Sequence, residues 1–181
     1  MTDQELRVGI IGVGMMGADH ADRVAHRTSG ARLVAVSDPD TARAGALAAQ
    51  FDGVRVVADP LALVADDEVD AVVIASPGFV HEEQVLACLE AGKHVLCEKP
   101  LCLTAADVVT LQAARDRSGR HVEEAFSYRN HPQWAKIDEL LASGAIGAPL
   151  AVQCTMAKQF FDPNDIRNNP DLGGGALYDL G

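Results

Sequence analysis

Arg7-Val8-Gly9-Ile10-Ile11-Gly12-Val13-Gly14-Met15-Met16-Gly17 is the stretch that decides the fold. A short apolar run, Arg7 to Ile11, reads as a strand, and three glycines spaced two and then three positions apart follow it where a helix begins. In that setting each glycine has a mechanical task. Gly12 permits the tight turn, Gly14 lets a pyrophosphate approach the backbone without a Cβ in the way, and Gly17 lets the helix lie close to the strand. The anion then meets unpaired helix N–H groups and the positive end of the helix dipole. The spacing therefore predicts a dinucleotide site.

Working outward, short β-branched runs alternate with segments of helical period, the pattern of crossover units feeding a parallel sheet. The expected strands are Arg7 to Ile11, Leu33 to Val36, Val54 to Val57, Ala71 to Ala75, His94 to Cys97 and His121 to Phe126. Most are apolar throughout, as strands covered by helices on both faces must be. The fold class is α/β, a doubly wound parallel Rossmann sheet followed by the first elements of an incomplete α+β domain. Asp40 is expected to cap a helix from Thr41 to Phe51, Asp59-Pro60 to open a short turn, Gly92 to close a helix around Val85, Leu86 and Leu89, and Thr104 to cap the next one. Residues 1–126 read as the dinucleotide-binding domain and 127–181 as the start of a second one. There a helix from Pro132 to Ala142 is expected to bury Trp134, Ile137, Leu140 and Leu141, and a strand is expected from Leu150 to Met156. The Asn-, Asp-, Pro- and Gly-rich tail from Lys158 to Gly181 reads as a loop running into Ala176 to Leu180.

Composition narrows the function classes. A formal net charge of −11 without basic runs argues against a nucleic-acid partner, whose phosphates need Lys and Arg. The longest early apolar run, Val8 to Ile11, is too short to span a bilayer, so no membrane partner and a cytoplasmic location are expected. Cys88, Cys97, Cys102 and Cys154 form no Cys-x-x-Cys pair; they read as reduced, mostly buried thiols, and no metal site is expected.

Asp38 follows the second strand about twenty residues beyond the last glycine, where a carboxylate accepts hydrogen bonds from the adenosine ribose hydroxyls and repels a 2′-phosphate. No Arg directly follows it, since Pro39 and Asp40 come next and Arg43 lies a turn into the helix. NAD is therefore expected, and NADP less so. An Asx turn ahead of Pro39 is the alternative use of Asp38. In sheets of this kind ligands bind beyond the carboxyl ends of the strands, which brings Ser76-Pro77 with His81 and Glu98-Lys99-Pro100 to the nicotinamide end. Pro100 favours an extended Lys99 aimed outward from the strand end. Such a lysine either hydrogen-bonds a substrate hydroxyl or is a solvated surface charge. His81 is either a site residue or a helix-start residue bonded to backbone.

The glycine loop, Ser76-Pro77 with His81, and Ala91-Gly92-Lys93-His94-Val95-Leu96-Cys97-Glu98-Lys99-Pro100 together resemble the Gfo/Idh/MocA oxidoreductases. The resemblance continues through Gly144-Ala145-Ile146-Gly147 and Gly173-Gly174-Gly175-Ala176-Leu177-Tyr178-Asp179. It implies hydride transfer between NAD(P) and a hydroxyl carbon of a sugar, cyclitol or related polyol, with Lys99 as the catalytic lysine and Asp179 contacting the reacting hydroxyl region. The implied cofactor set is Gly12, Gly14, Met15, Met16, Gly17, Asp38, Ser76, Pro77, His81, Glu98 and Lys99. The implied substrate set is Lys99, Tyr128, Arg129 and Asp179. Glu124 to Arg129, His131-Pro132 and Asp165-Ile166-Arg167-Asn168 resemble the subgroup of xylose dehydrogenases, dihydrodiol dehydrogenases and glucose-fructose oxidoreductase. Asn130, where that subgroup usually has an aromatic, and Asp38 depart from it.

In the family a His or Tyr acid-base residue follows the aspartate by four positions, and the sequence ends at Gly181. Two descriptions follow: an oxidoreductase chain that is truncated or completed by another polypeptide, and an NAD-binding module without turnover; the protein partner implied is a homo-oligomer or a complementing chain. Under both, the 181-residue chain is expected to bind NAD and to turn over poorly.

Overall fold

A computed structural model describes residues 5–157, 162–163 and 165–180. Strands β1 (Leu6–Ile11), β2 (Ala31–Ser37), β3 (Arg55–Val56), β4 (Ala71–Ile74), β5 (His94–Cys97) and β6 (Val122–Glu124) form one sheet in the order β3-β2-β1-β4-β5-β6. Every neighbouring pair is parallel. The helices α1 (Met15–His26), α2 (Thr41–Ala48), α3 (Pro60–Val64), α4 (His81–Glu90) and α5 (Ala105–Ser118) are the crossovers. This is the doubly wound sheet expected from the strand pattern.

The core confirms why the strands are apolar on both sides. Val72 and Ile74 of β4 join one buried cluster with Leu63, Val85 and Leu111, while Val73 joins the other with Val8, Ile10, Val36 and Leu47. Alternate residues of one strand thus feed two cores, one under each helical layer. Ile10, Leu63 and Ile74 are completely buried, and each such side chain contributes about 1.5–3 kcal/mol.

Local punctuation follows the sequence closely. Asp40 accepts from the Arg43 amide as the cap of α2, and Thr104 and Asp107 form a reciprocal capping box on α5. Differences lie at edges: α2 stops at Ala48 rather than Phe51, β3 shrinks to two residues, and the Asp59-Pro60 turn grows into α3. A sheet-edge strand has one neighbour to pair with, which leaves its length to local packing.

Larger differences come after Phe126. Helix α6 (Pro132–Ala142) forms, but none of its residues is buried; Trp134 and Leu141 are exposed, and Ile137 and Leu140 are only half-buried. Residues 150–157 form no strand, and Leu150 and Val152 are almost fully exposed. Both elements need a partner surface or a neighbouring strand, and the described residues provide neither. The tail's described part holds two single 3₁₀ turns, Ile166–Asn168 and Pro170–Leu172, before α7 (Ala176–Leu180). Lys158 and Gly181 lie outside the described residues. All four cysteines are free; Cys88 and Cys97 are buried, Cys102 is half-buried and Cys154 is exposed, so burial holds for only two of them. Burial pushes the Cys88 thiol up to about 12. Among the described residues no helix is long and apolar enough to cross a membrane, and no His, Cys, Asp or Glu cluster could hold a metal ion.

Arg7 ties the start of β1 to the loop before β4. Its Nε and Nη2 donate to the two Asp70 carboxylate oxygens at 2.9 and 2.8 Å, and its amide donates to the same group at 2.9 Å. The Arg7 hydrogen bond holds the Asp70 carboxyl at about 2, against an ordinary 3.8. A carboxyl depressed in the folded state adds stability that is full above its unfolded value and is lost as pH falls through the folded one. Asp70→Asn is therefore expected to cost about 1 kcal/mol at pH 7, after discounting for the partly exposed pair. In urea titrations the gap to wild type should close between pH 4 and pH 2; a gap that persists unchanged at pH 2 would contradict this.

Candidate functional site

The strand order reverses between β1 and β4, and outside the carboxyl ends of these strands lies a cleft of about 910 Å³. That is where an open sheet of this type receives a ligand. The turn after β1 makes its floor. Gly12 has φ +85°, and a Cβ there would meet the Ala75 and Ser76 backbone at 2.7 Å. A Cβ on Gly17 would stand 1.9 Å from the Gly12 carbonyl oxygen, so helix and turn touch backbone to backbone. Gly14 has nothing within 4 Å of its Cβ position and caps α1 without a side-chain acceptor. No acidic residue stands in the first turn of α1, which leaves its amides available to an anion. Gly12, Gly14, Met15 and Met16 line the cleft, while Gly17 is buried behind it.

Asp38 lies at the end of β2, 3% exposed. Its Oδ2 accepts from the Val13 amide at 2.8 Å; its Oδ1 accepts from the Asp40 amide at 2.8 Å and from Arg43 Nη2 at 2.7 Å. Burial pushes this carboxyl up, but the Arg43, Val13 and Asp40 hydrogen bonds outweigh burial and hold it below the usual carboxylate range. Arg43 therefore does reach Asp38, contrary to the sequence expectation that a turn of helix separates them. The signal was available: with Asp40 as cap, Arg43 is the third residue of α2, and helical side chains lean back toward the N-terminus. The Asx turn at Asp38 also forms, through the Asp40 amide, while the residue lines the cleft.

At the far end of the cleft, Lys99 Nζ donates to Asp179 Oδ1 at 2.5 Å and to the Asp179 carbonyl oxygen at 2.8 Å. The Lys99–Pro100 peptide is cis. Arg167 Nε adds a second donor to Asp179 Oδ1 at 3.3 Å. Burial raises the Asp179 carboxyl, and the Lys99 and Arg167 contacts more than reverse this, so it sits below its ordinary value. Lys99 is thus not a freely solvated charge. Glu98, 8% exposed, takes His20 Nε2 at 2.9 Å, and Ser76 Oγ donates to Gln84 Oε1 at 2.6 Å. Ser76, Pro77, Glu98, Lys99, Arg167 and Asp179 share the cleft with Asp38.

Three predicted residues lie elsewhere. His81 does not reach the cleft: it is 1% exposed, with both ring nitrogens against backbone carbonyls. Tyr128 and Arg129 line a separate pocket of about 240 Å³ with Phe126, Leu177 and Tyr178, on an aromatic cluster in which Tyr128 packs against Phe126 and Trp134. His20, Gln84, Arg43 and Arg167 support site residues but were absent from the expected set. His20 and Gln84 carry no motif; His20 reaches Glu98 across 78 residues of chain, and Gln84 meets Ser76 from eight residues on.

Residues 6–126 match the family profile described as "Oxidoreductase family, NAD-binding Rossmann fold", and residues 134–181 match the family's C-terminal domain. The chain belongs to the Gfo/Idh/MocA oxidoreductase family. Among Gfo/Idh/MocA relatives, the inositol 2-dehydrogenase of Rhodococcus erythropolis is 46% identical over 84% of this chain and 44% of its own length. A crystal structure of an NAD-binding protein from Listeria innocua covers 98% of the chain and 52% of its own, at 30% identity and TM-score 0.86. The myo-inositol dehydrogenase of Lactobacillus casei, crystallised with NAD(H) and myo-inositol, covers 81% of this chain and 44% of its own, at 34% identity and TM-score 0.75. The chain spans about half the length of the curated relatives it matches. The two enzymes among these relatives are both inositol dehydrogenases.

Proposed function

We propose that this chain carries the cofactor site and part of the catalytic site of an NAD-dependent dehydrogenase acting on a cyclitol or related polyol. The observation that carries this reading is that one cleft holds Asp38 at one end and the Lys99–Asp179 pair at the other. The residues present fit a dinucleotide: a bare, uncapped helix start for the pyrophosphate, and a buried carboxylate for a ribose diol. Residues 1–126 would then form the cofactor domain and 127–181 the opening of the substrate domain.

Bound NAD supplies the hydride acceptor for oxidation of the C–H at a hydroxyl-bearing carbon, which leaves a ketone and releases the hydroxyl proton. The chain's own part is to bind and orient. The amides of α1 hold the anion, Asp38 takes the ribose hydroxyls, and the Lys99 ammonium donates to the substrate oxygen, favouring its deprotonation. Asp179 holds that ammonium in place. Relatives bind inositol and NAD, which supports the cyclitol class.

Calorimetric titration of the 181-residue chain should give saturable NAD binding at least about tenfold tighter than NADP, about 1.4 kcal/mol. Tighter NADP binding, or no binding of either, would overturn the reading. Reduction of NAD with myo-inositol separates a working dehydrogenase from a module that binds without turnover. A second reading rests on Arg43, whose half-exposed guanidinium borders the cleft beside Asp38 and can meet a 2′-phosphate. Arg43→Ala should weaken NADP several-fold while changing NAD little; equal loss for both cofactors would remove that reading.

A further inference from the structure

Behind the cleft a single buried side chain joins the two loops that the proposed chemistry uses. His81, the first residue of α4, is 1% exposed. Its Nδ1 lies 2.8 Å from the Pro100 carbonyl oxygen and its Nε2 lies 2.8 Å from the Ser76 carbonyl oxygen. Carbonyl oxygens only accept, so the ring donates to one of them in its neutral form and to both when doubly protonated. Ser76 belongs to the turn after β4, and Pro100 directly follows Lys99.

Other contacts close the same joint. Ser76 Oγ is held by Gln84, one turn further along α4. Gly78 packs so near Pro100 that a Cβ there would lie 3.3 Å from the proline Cδ. A leucine in place of His81 would fill similar space without a polar ring to desolvate. The imidazole offsets that cost only through the hydrogen bonding it offers these carbonyls. Lys99 meets Asp179 through a long flexible stem, so the position of its ammonium depends on where the backbone starts that stem.

We propose that His81 is a positioning residue: it locks the Ser76–Pro77 turn to the Lys99–Pro100 turn, so that the Lys99 ammonium is presented to Asp179 at the polyol end of the cleft. The functional meaning of this lock rests on the reading of Lys99 as the group that meets the substrate hydroxyl. Displacing a reacting group by about 1 Å can cost a hundredfold in rate, so a rigid joint behind Lys99 would matter more than its small size suggests.

The test reads Lys99 directly. The full chain is reductively methylated with ¹³C-formaldehyde, and the Lys99 resonance is assigned by its loss in Lys99→Arg. In wild type it should stand apart from that of Lys136, which is paired only at the surface. His81→Leu keeps the bulk and removes the ring's hydrogen bonding to Ser76 and Pro100, and should move the Lys99 resonance toward the Lys136 position. His81→Gln retains a donor and should move it less. Leu111→Ala removes a buried side chain of α5 and serves as the destabilised control, leaving the Lys99 resonance in place. An unmoved resonance in the His81 variants, or an equal movement in Leu111→Ala, overturns the proposal. If His81→Leu does not fold, His81→Gln decides the matter against the same control. The measurement needs no cofactor, so failure of wild type to bind NAD would count against the dehydrogenase reading and leave the outcome for His81 standing.

Discussion

Gly17→Ala is expected to abolish measurable NAD binding and to lower stability by about 1–3 kcal/mol, the usual cost of overpacking a tight site. The new Cβ would land 1.9 Å from the Gly12 carbonyl oxygen and 2.9 Å from its carbonyl carbon. Neither atom belongs to a side chain that can rotate away. Relief requires moving α1 off the turn or moving the turn itself, and the turn is pinned on its other side against the Ala75 and Ser76 backbone. Either movement shifts the helix-start amides that would hold the pyrophosphate. Gly14→Ala should behave in the opposite way. Its Cβ meets nothing within 4 Å, so stability should stay within about 0.5 kcal/mol of wild type, while the methyl group intrudes where the anion must sit. Thermal melts and NAD calorimetry on both variants test the pair. Equal stability losses at the two positions would contradict the assignment of separate tasks.

Asp38→Asn should reduce NAD affinity about tenfold or more and turn the cofactor preference toward NADP, because the negative charge facing a 2′-phosphate disappears. The same variant should also lose about 1–3 kcal/mol of stability. The carboxylate accepts three hydrogen bonds, from the Val13 and Asp40 amides and from Arg43. An amide in its place has one acceptor oxygen and turns an NH₂ group toward donors. Asp38→Ala should be worse for stability, since the buried Val13 amide then keeps no acceptor there. NAD and NADP dissociation constants, with urea titrations of each variant, check both effects. An Asp38→Asn chain with unchanged stability would mean that this carboxylate serves the ligand alone.

The contrast between Asp38 and Arg43 shows what could be read from sequence. Asp38 was found because a strand, a glycine loop and a fixed interval locate it. Arg43 is five residues further on, and only the folding back of the first turn of α2 brings its guanidinium to Asp38. The strand His94–Cys97 was legible to the residue because Gly92 and the charged Glu98-Lys99 bound it. Lys99 and Asp179 were legible as family positions, but their pairing across eighty residues of chain is a property of the fold. His81 has two readings in the sequence, a site residue or a helix-start residue bonded to backbone, and the second holds: the ring turns inward onto two backbone carbonyls. The face of α6 and the segment 150–156 failed for another reason. Periodicity states which side of an element is apolar, and burial additionally needs a surface to receive it.

The sheet order also dictates a sequence of events during synthesis. The central strand β1 is made first, yet both of its neighbours, β2 and β4, come later, and its register with β4 pairs Val8 to Ile11 with Ala71 to Ile74. At translation speeds of about 5–20 residues per second, β1 waits roughly 3–13 s for that second neighbour. The Gly12 turn waits with it, because the backbone that presses on it is Ala75 and Ser76. A nascent chain that ends before residue 75 therefore holds the whole glycine motif without the backbone that packs against it.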